Sequence, residues 1–184
     1  MSNSGIIGVN TGMNTGLLSG SSSITPSTAN VTSRYPAFRV SITADYDHSA
    51  GSIVQMSKDT NSDNTTRLYN AGGYYNTSTY KFKSPVTGLY SLYCQILFMS
   101  SSNPEDYSNC FYIMQNSNRI SYAFRRARYV GDDTGTGGYY GDCTYNNTFM
   151  NAGDEAWIQC TMARRIHANL DYTYFTGHLI SEAI

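Results

Sequence analysis

From Tyr90 to Phe98 every second residue is apolar: Tyr90, Leu92, Cys94, Ile96 and Phe98. Side chains alternate between the two faces of a strand, so this spacing makes a strand with one face for burial, whereas a helix would scatter the five around its axis. The same period recurs in shorter runs. "AFRVSIT" aligns Phe38, Val40 and Ile42, and "EAWIQCTM" aligns Ala156, Ile158, Cys160 and Met162, each run bounded by Gly, Asn, Asp and Ser clusters. From Tyr35 onward this pattern predicts an all-β chain folded as an antiparallel two-sheet sandwich.

The faces opposite these stripes are not polar. Trp157 is out of phase with the stripe of its own run. In "DYTYFTGHLI", Phe175, Gly177 and Leu179 share one face while Tyr172, Tyr174, His178 and Ile180 take the other. An antiparallel sheet that is apolar on both sides needs a second cover, and the usual cover is another subunit. The pattern therefore predicts a homo-oligomer, with Trp157, Tyr172 and Tyr174 as interface candidates.

Composition divides the chain in two. Residues 1–33 carry no charge and consist largely of Gly, Ser, Thr and Asn, with neither period. Such a segment buries too little apolar surface to offset its ordering entropy unaided, so it reads as an arm that a partner surface must hold. Ile6, Ile7, Val9, Leu17 and Leu18 are its docking candidates, each worth about 1.5–3 kcal/mol if fully buried. Fully extended, the arm reaches roughly 110 Å. Residues 34–184 form the β domain.

Charged residues make up 14% of the 184-residue chain and there are 17 tyrosines. An average domain has roughly 25% charged residues, so neutral hydrogen bonding and Tyr contact area take over here. A net charge of -1 gives no basic face for nucleic acid. The clusters Arg125, Arg126, Arg128 and Arg164, Arg165 read as solvated strand edges or halves of inter-subunit ion pairs. No apolar run is long enough to span a membrane, and no basic-then-apolar leader is evident, so assembly in a cytoplasm is expected. Cys94, Cys110, Cys143 and Cys160 lack metal-ligand spacing and sit in strand-like stretches, which predicts free, buried thiols. The sequons at Asn30, Asn64, Asn76 and Asn146 are expected by chance in so Asn- and Thr-rich a chain.

Ingredients for catalysis are few. The three histidines, His48, His167 and His178, occur without a phosphate loop, a zinc-binding helix motif or a nucleophile elbow. Asp45 and Asp47 share a strand face beside His48 and Ser49, and would hold a hard cation only with a further oxygen ligand. Asp132, Asp133 and Asp142 lie in a Gly-rich stretch of similar character. Both segments read most simply as polar loops, so no catalytic residue, metal or cofactor is expected.

Four blocks of the chain, in order, resemble the complement C1q globular-head domain, which shares a trimeric jelly-roll fold with tumour necrosis factor. The resemblance covers most of Tyr35 to Ser181. It begins at "YPAFRVSIT" around Phe38 and continues through "YNAGGYYNTSTYKFKSPVTGLYSLYCQILF", with Phe82, Pro85, Gly88 and Tyr90. It returns at Gly153, Asp154 and Trp157 of "NAGDEAWIQCTM", and closes with Phe175, Gly177 and Leu179. The glycines have independent readings. Gly88 offers backbone freedom at the entry to the long strand, and Gly153-Asp154 suits a tight hairpin.

The resemblance implies a three-fold bundle whose aromatic outer faces meet around the axis, and it brings no catalytic residues. Unlike animal members, the chain shows no collagen-like stem with Gly at every third position. C1q-like domains also resemble knobs on virus particles. The expected function is therefore a homotrimeric bacteriophage capsid decoration (cement or head-fibre) protein on the virion surface. Its arm would bind the major capsid protein or another virion protein, and its outer Tyr residues are offered to host-surface glycans. A receptor-binding tail-fibre tip and a secreted C1q-like glycan-recognition protein are the alternatives.

Overall fold

Most of the predicted alternating runs form β-strands. In the computed structural model the described residues are 35–60, 67–99, 111–123 and 139–183. Ile6, Ile7, Val9, Leu17, Leu18, Asn30, Asn64, Cys110, Arg125, Arg126, Arg128, Asp132 and Asp133 lie outside them. The strands are β1 (Ala37–Val40), β2 (Tyr46–His48), β3 (Tyr69–Ala71), β4 (Tyr75–Asn76), β5 (Lys81–Lys83) and β6 (Gly88–Met99). They continue with β7 (Phe111–Gln115), β8 (Asn118–Ala123), β9 (Tyr139–Met150), β10 (Glu155–Cys160), β11 (Arg164–Ile166) and β12 (Tyr174–Glu182). Among the described residues there is no helix long and apolar enough to cross a membrane.

Two antiparallel sheets result. The first runs β2-β11-β6-β12-β1-β3, with β9 on the free edge of β6; the second runs β4-β5-β10-β7-β8. The long β6 organises the first sheet. Its whole length pairs with β9, and its other edge takes β12 at Gly88–Gln95 and β11 at Phe98–Met99.

Tyr90, Leu92, Cys94, Ile96 and Phe98 are buried between the sheets, as are Phe38, Val40, Ile42, Ala156, Ile158, Cys160 and Phe175. Met162 lies past the end of β10 and stays half-exposed. Four of the residues that carry the family resemblance, Phe38, Phe82, Tyr90 and Phe175, meet in this core. Phe38 stacks on Phe82 at 4.8 Å and meets Phe175 edge-on at 4.9 Å, while Phe82 lies 5.6 Å from Tyr90. Tyr75, which the sequence did not single out, stacks on Phe38 at 5.3 Å. Its hydroxyl has no hydrogen-bond partner among the described residues, and burial pushes its ionisation well above the usual tyrosine range.

Gly153 has φ +95° in the β9–β10 hairpin, where Asp154 accepts the Asn151 N–H at 2.8 Å, in keeping with the tight-turn reading. Gly88 is a correction. It is not among the positive-φ residues; a Cβ there would sit 2.3 Å from the Ser181 carbonyl oxygen and 2.8 Å from Leu179 Cδ1, so the position demands closeness rather than backbone freedom. Pro85 lies in the β5–β6 turn, outside any ladder.

One side of the sandwich closes without a ladder. β8 and β9 are joined by side chains: Ser121 Oγ donates to the Tyr145 carbonyl at 2.9 Å and contacts Thr144 Oγ1, and Asn146 Nδ2 donates to the Ile120 carbonyl at 2.8 Å. Gln115 Nε2 reaches the Phe149 carbonyl at 2.9 Å from β7. Polar side chains of β7, β8 and β9 thus satisfy edge carbonyls of the facing strand that a ladder would otherwise bind.

Candidate interaction face

The outer face of the first sheet is read directly from its register. Tyr145 of β9 lies opposite Tyr93 of β6, Tyr93 opposite Thr176 of β12, Thr176 opposite Arg39 of β1, and Arg39 opposite Tyr69 of β3. One row of side chains therefore crosses five strands. Tyr145 is 72% exposed, and Phe149, further along β9, is 54% exposed. These are large apolar groups presented to solvent by a sheet whose inner face is already filled.

At the middle of this face the rings are held rather than loose. Tyr93 stacks on Tyr174 at 5.6 Å, and the Arg39 guanidinium lies 3.8 Å from the Tyr174 ring centroid. Arg39 donates a hydrogen bond to the Leu170 carbonyl at 3.3 Å, while its buried Nε has no partner among the described residues. Tyr93 donates to Gln95 Oε1 at 3.0 Å. Its ionisation is pushed up by burial and by the neighbouring Cys143 and Tyr174. The centre is thus a neutral aromatic platform under a flat cation, shaped for another surface rather than for proton transfer.

The three interface candidates do not share a face. Tyr174 lies on this platform. Trp157 projects from β10, the middle strand of the second sheet, so it lies on the opposite outer face, with Lys81 Nζ 4.4 Å from its ring centroid and Lys81 paired to Glu155 at 2.7 Å. Tyr172 belongs to the turn before β12 and is exposed. Phase along a strand tells outward from inward, but not which of two sheets the strand joins. Tyr93, Arg39, Tyr145 and Phe149 were missed for that reason.

Other sequence candidates are dispersed. Asp45 accepts the Ala168 N–H at 2.6 Å and lies 3.0 Å from His167; that backbone bond chiefly holds its carboxyl below the usual range. Asp47 is exposed and pairs with Arg165 at 3.6 Å, and Ser49 is exposed. Asp142 lies on β9, and His178 is exposed on β12. Arg164 and Arg165 stand on β11, which is paired on both sides and so is no edge. No cluster of three metal-binding groups occurs among the described residues. Cys94, Cys143 and Cys160 are free thiols, but Cys143 faces outward on β9, against the expectation of burial.

The family model of the C1q domain matches residues 37–180. The chain belongs to the C1q domain family. Solved structures agree at the level of fold. The Eiger TNF of S. frugiperda is 12% identical with a TM-score of 0.60, covering 82% of this chain and 95% of that one. The globular domain of zebrafish complement 1qA is 17% identical with a TM-score of 0.54, covering 80% and 99%. Murine APRIL is 12% identical with a TM-score of 0.56, covering 79% and 99%. Comparison with curated proteins finds no match. The C1q domain thus accounts for the aromatic nest of Phe38, Phe82, Tyr90 and Phe175 as core.

Proposed function

We propose that this C1q-domain protein is a non-catalytic interaction module that works as a homotrimer, with the outer face of the first sheet packed around the three-fold axis. The observation that carries this reading is the row from Tyr145 through Tyr93, Thr176 and Arg39 to Tyr69, with Tyr145 and Tyr69 exposed at its two ends on a sheet whose inner face is already filled. The three-fold bundle that the family resemblance implies supports this reading, since aromatic outer faces would meet around its axis.

The finer reading is a decoration protein on the surface of a virion, assembled in the host cytoplasm and fastened to a capsid protein by residues 1–33. Its support is the arm itself, free of charge, with Ile6, Ile7, Val9, Leu17 and Leu18 spaced along it. Three weak arms on one trimer hold where one would dissociate, because the second and third bind at high effective concentration. Exposed Tyr122 on the second sheet is part of the surface offered to host glycans.

Light scattering of the full chain and of residues 34–184, with co-sedimentation on assembled capsids, tests both levels. A trimer in each case, with capsid binding lost on deletion of the arm, is the expected result. A monomeric full chain overturns the trimer. A trimer that ignores capsids but adsorbs to host cells removes the decoration reading in favour of a fibre tip.

A further inference from the structure

Residues 45–56 form a strap across one end of the sandwich. β2 pairs with β11 of the first sheet, Ile53 bridges to Gln159 of β10 in the second, and the Val54 N–H donates to the Ile158 carbonyl at 2.8 Å. Val54 and Met56 drive the strap into the core and are fully buried. At its bend lies His48, 3% exposed, in register with Arg164 of β11.

Both ring nitrogens of His48 meet hydroxyls, and the direction of the Ser52 bond is fixed by its far end. Ser52 Oγ donates to the Ser49 carbonyl at 2.6 Å, so toward His48 Nε2, 3.1 Å away, it can only accept. On the other side the Tyr46 hydroxyl accepts the Gln55 N–H at 2.9 Å and keeps its own proton to donate to a neutral His48 Nδ1 at 3.2 Å. The chain from Gln55 through Tyr46, His48 and Ser52 to Ser49 uses the Tyr46 proton when His48 is neutral, with its own proton on Nε2.

We propose that His48 is an acid-sensitive latch: a proton taken up at Nδ1 ends the hydrogen bond that Tyr46 donates there and leaves a charge in a site that is 3% exposed, which releases the strap from β10 and β11 and bares Val54 and Met56. Arg164 stands across the ladder, and the strand's own carboxylates are engaged elsewhere, Asp45 with Ala168 and His167, Asp47 with Arg165. From β10 the nearest ionisable group is the buried Cys160 thiol, and Tyr80 lies near Tyr46; burial pushes both Cys160 and Tyr46 upward, so neither supplies an anion. Burial likewise lowers the His48 value, outweighing the carbonyls of Cys160 and Ser52, which favour the charged ring.

The sign follows. A base whose folded value lies below its ordinary 6.5 contributes its full stability above that pH and loses it as pH falls toward the folded value. Nitrogen-resolved NMR of the full chain reads the ring, and hydrogen-exchange protection factors read the strap. The expected result is a neutral Nε2–H ring at pH 7, and protection over residues 45–56 that drops by up to about tenfold per pH unit below 6.5. His48→Gln, which keeps a donor toward Ser52 but does not titrate, removes that dependence. Tyr46→Phe removes the donor that favours the neutral ring, and so raises the His48 value. A ring charged at pH 7, strap protection unchanged from pH 7 to 5, or an unchanged His48 value in Tyr46→Phe overturns the proposal.

Discussion

Gly177 sits where a side chain has no room. A Cβ there would lie 2.7 Å from Leu92 Cδ2 and 2.7 Å from Phe38 Cε1, inside the aromatic nest. Gly177→Ala therefore forces Phe38 or Leu92 from its position and is expected to cost about 1–3 kcal/mol, read as a lower midpoint in thermal unfolding. Gly88 answers to the same logic with a harder neighbour, the Ser181 carbonyl oxygen of the backbone. At this scale a sequence shows that a glycine stands in a strand but not which atoms crowd it. His48 is the counterpart case. It looked like part of a polar loop because its neighbours Asp47 and Ser49 are exposed, yet alternation turns His48 inward between them.

Among the elements, the β8–β9 seam departs most from a continuous ladder. Its closure rests on Ser121 and Asn146 reaching backbone carbonyls across the gap. Asn146→Ala leaves the Ile120 carbonyl without that donor, with an expected loss of about 0.5–1.5 kcal/mol and faster amide exchange confined to β8. Unchanged exchange there would show that Asn146 does not hold the seam. β6 lies at the other extreme, with both edges paired and an unbroken alternation of buried and half-buried residues from Gly88 to Met99. Leu92→Ala in that strand is expected to cost about 2–5 kcal/mol, measured by denaturant unfolding, since the void is walled by both sheets.

For the whole molecule, the decisive fact is that the two outer faces are different surfaces. If the first sheet's face is the one that packs between copies, Tyr145→Glu puts a charge into it and shifts the chain toward monomer in light scattering, with its circular dichroism unchanged. Trp157→Ala, on the opposite face, leaves the oligomer intact. The reverse pattern would assign the interface to the second sheet. His48 connects this scale to the residue, since a strap that opens in acid would loosen the end of each sandwich.

The amino-acid sequence by itself determined the all-β class, the inward stripes of β1, β6, β10 and β12, the hairpin at Gly153-Asp154 and the C1q resemblance. Each depends on neighbours within a few residues or on short motifs, and strand alternation is a local property of the backbone. Tertiary structure alone decided which sheet each strand joined, and therefore that Trp157 and Tyr174 look in opposite directions while Tyr145, Tyr93 and Arg39 form one row. It also decided that Tyr46, His48 and Ser52 meet as a directed chain of hydrogen bonds. Pairing between distant strands brings together residues whose separation along the chain carries no signal of their contact, and the direction of a hydrogen bond depends on what each partner is already bound to.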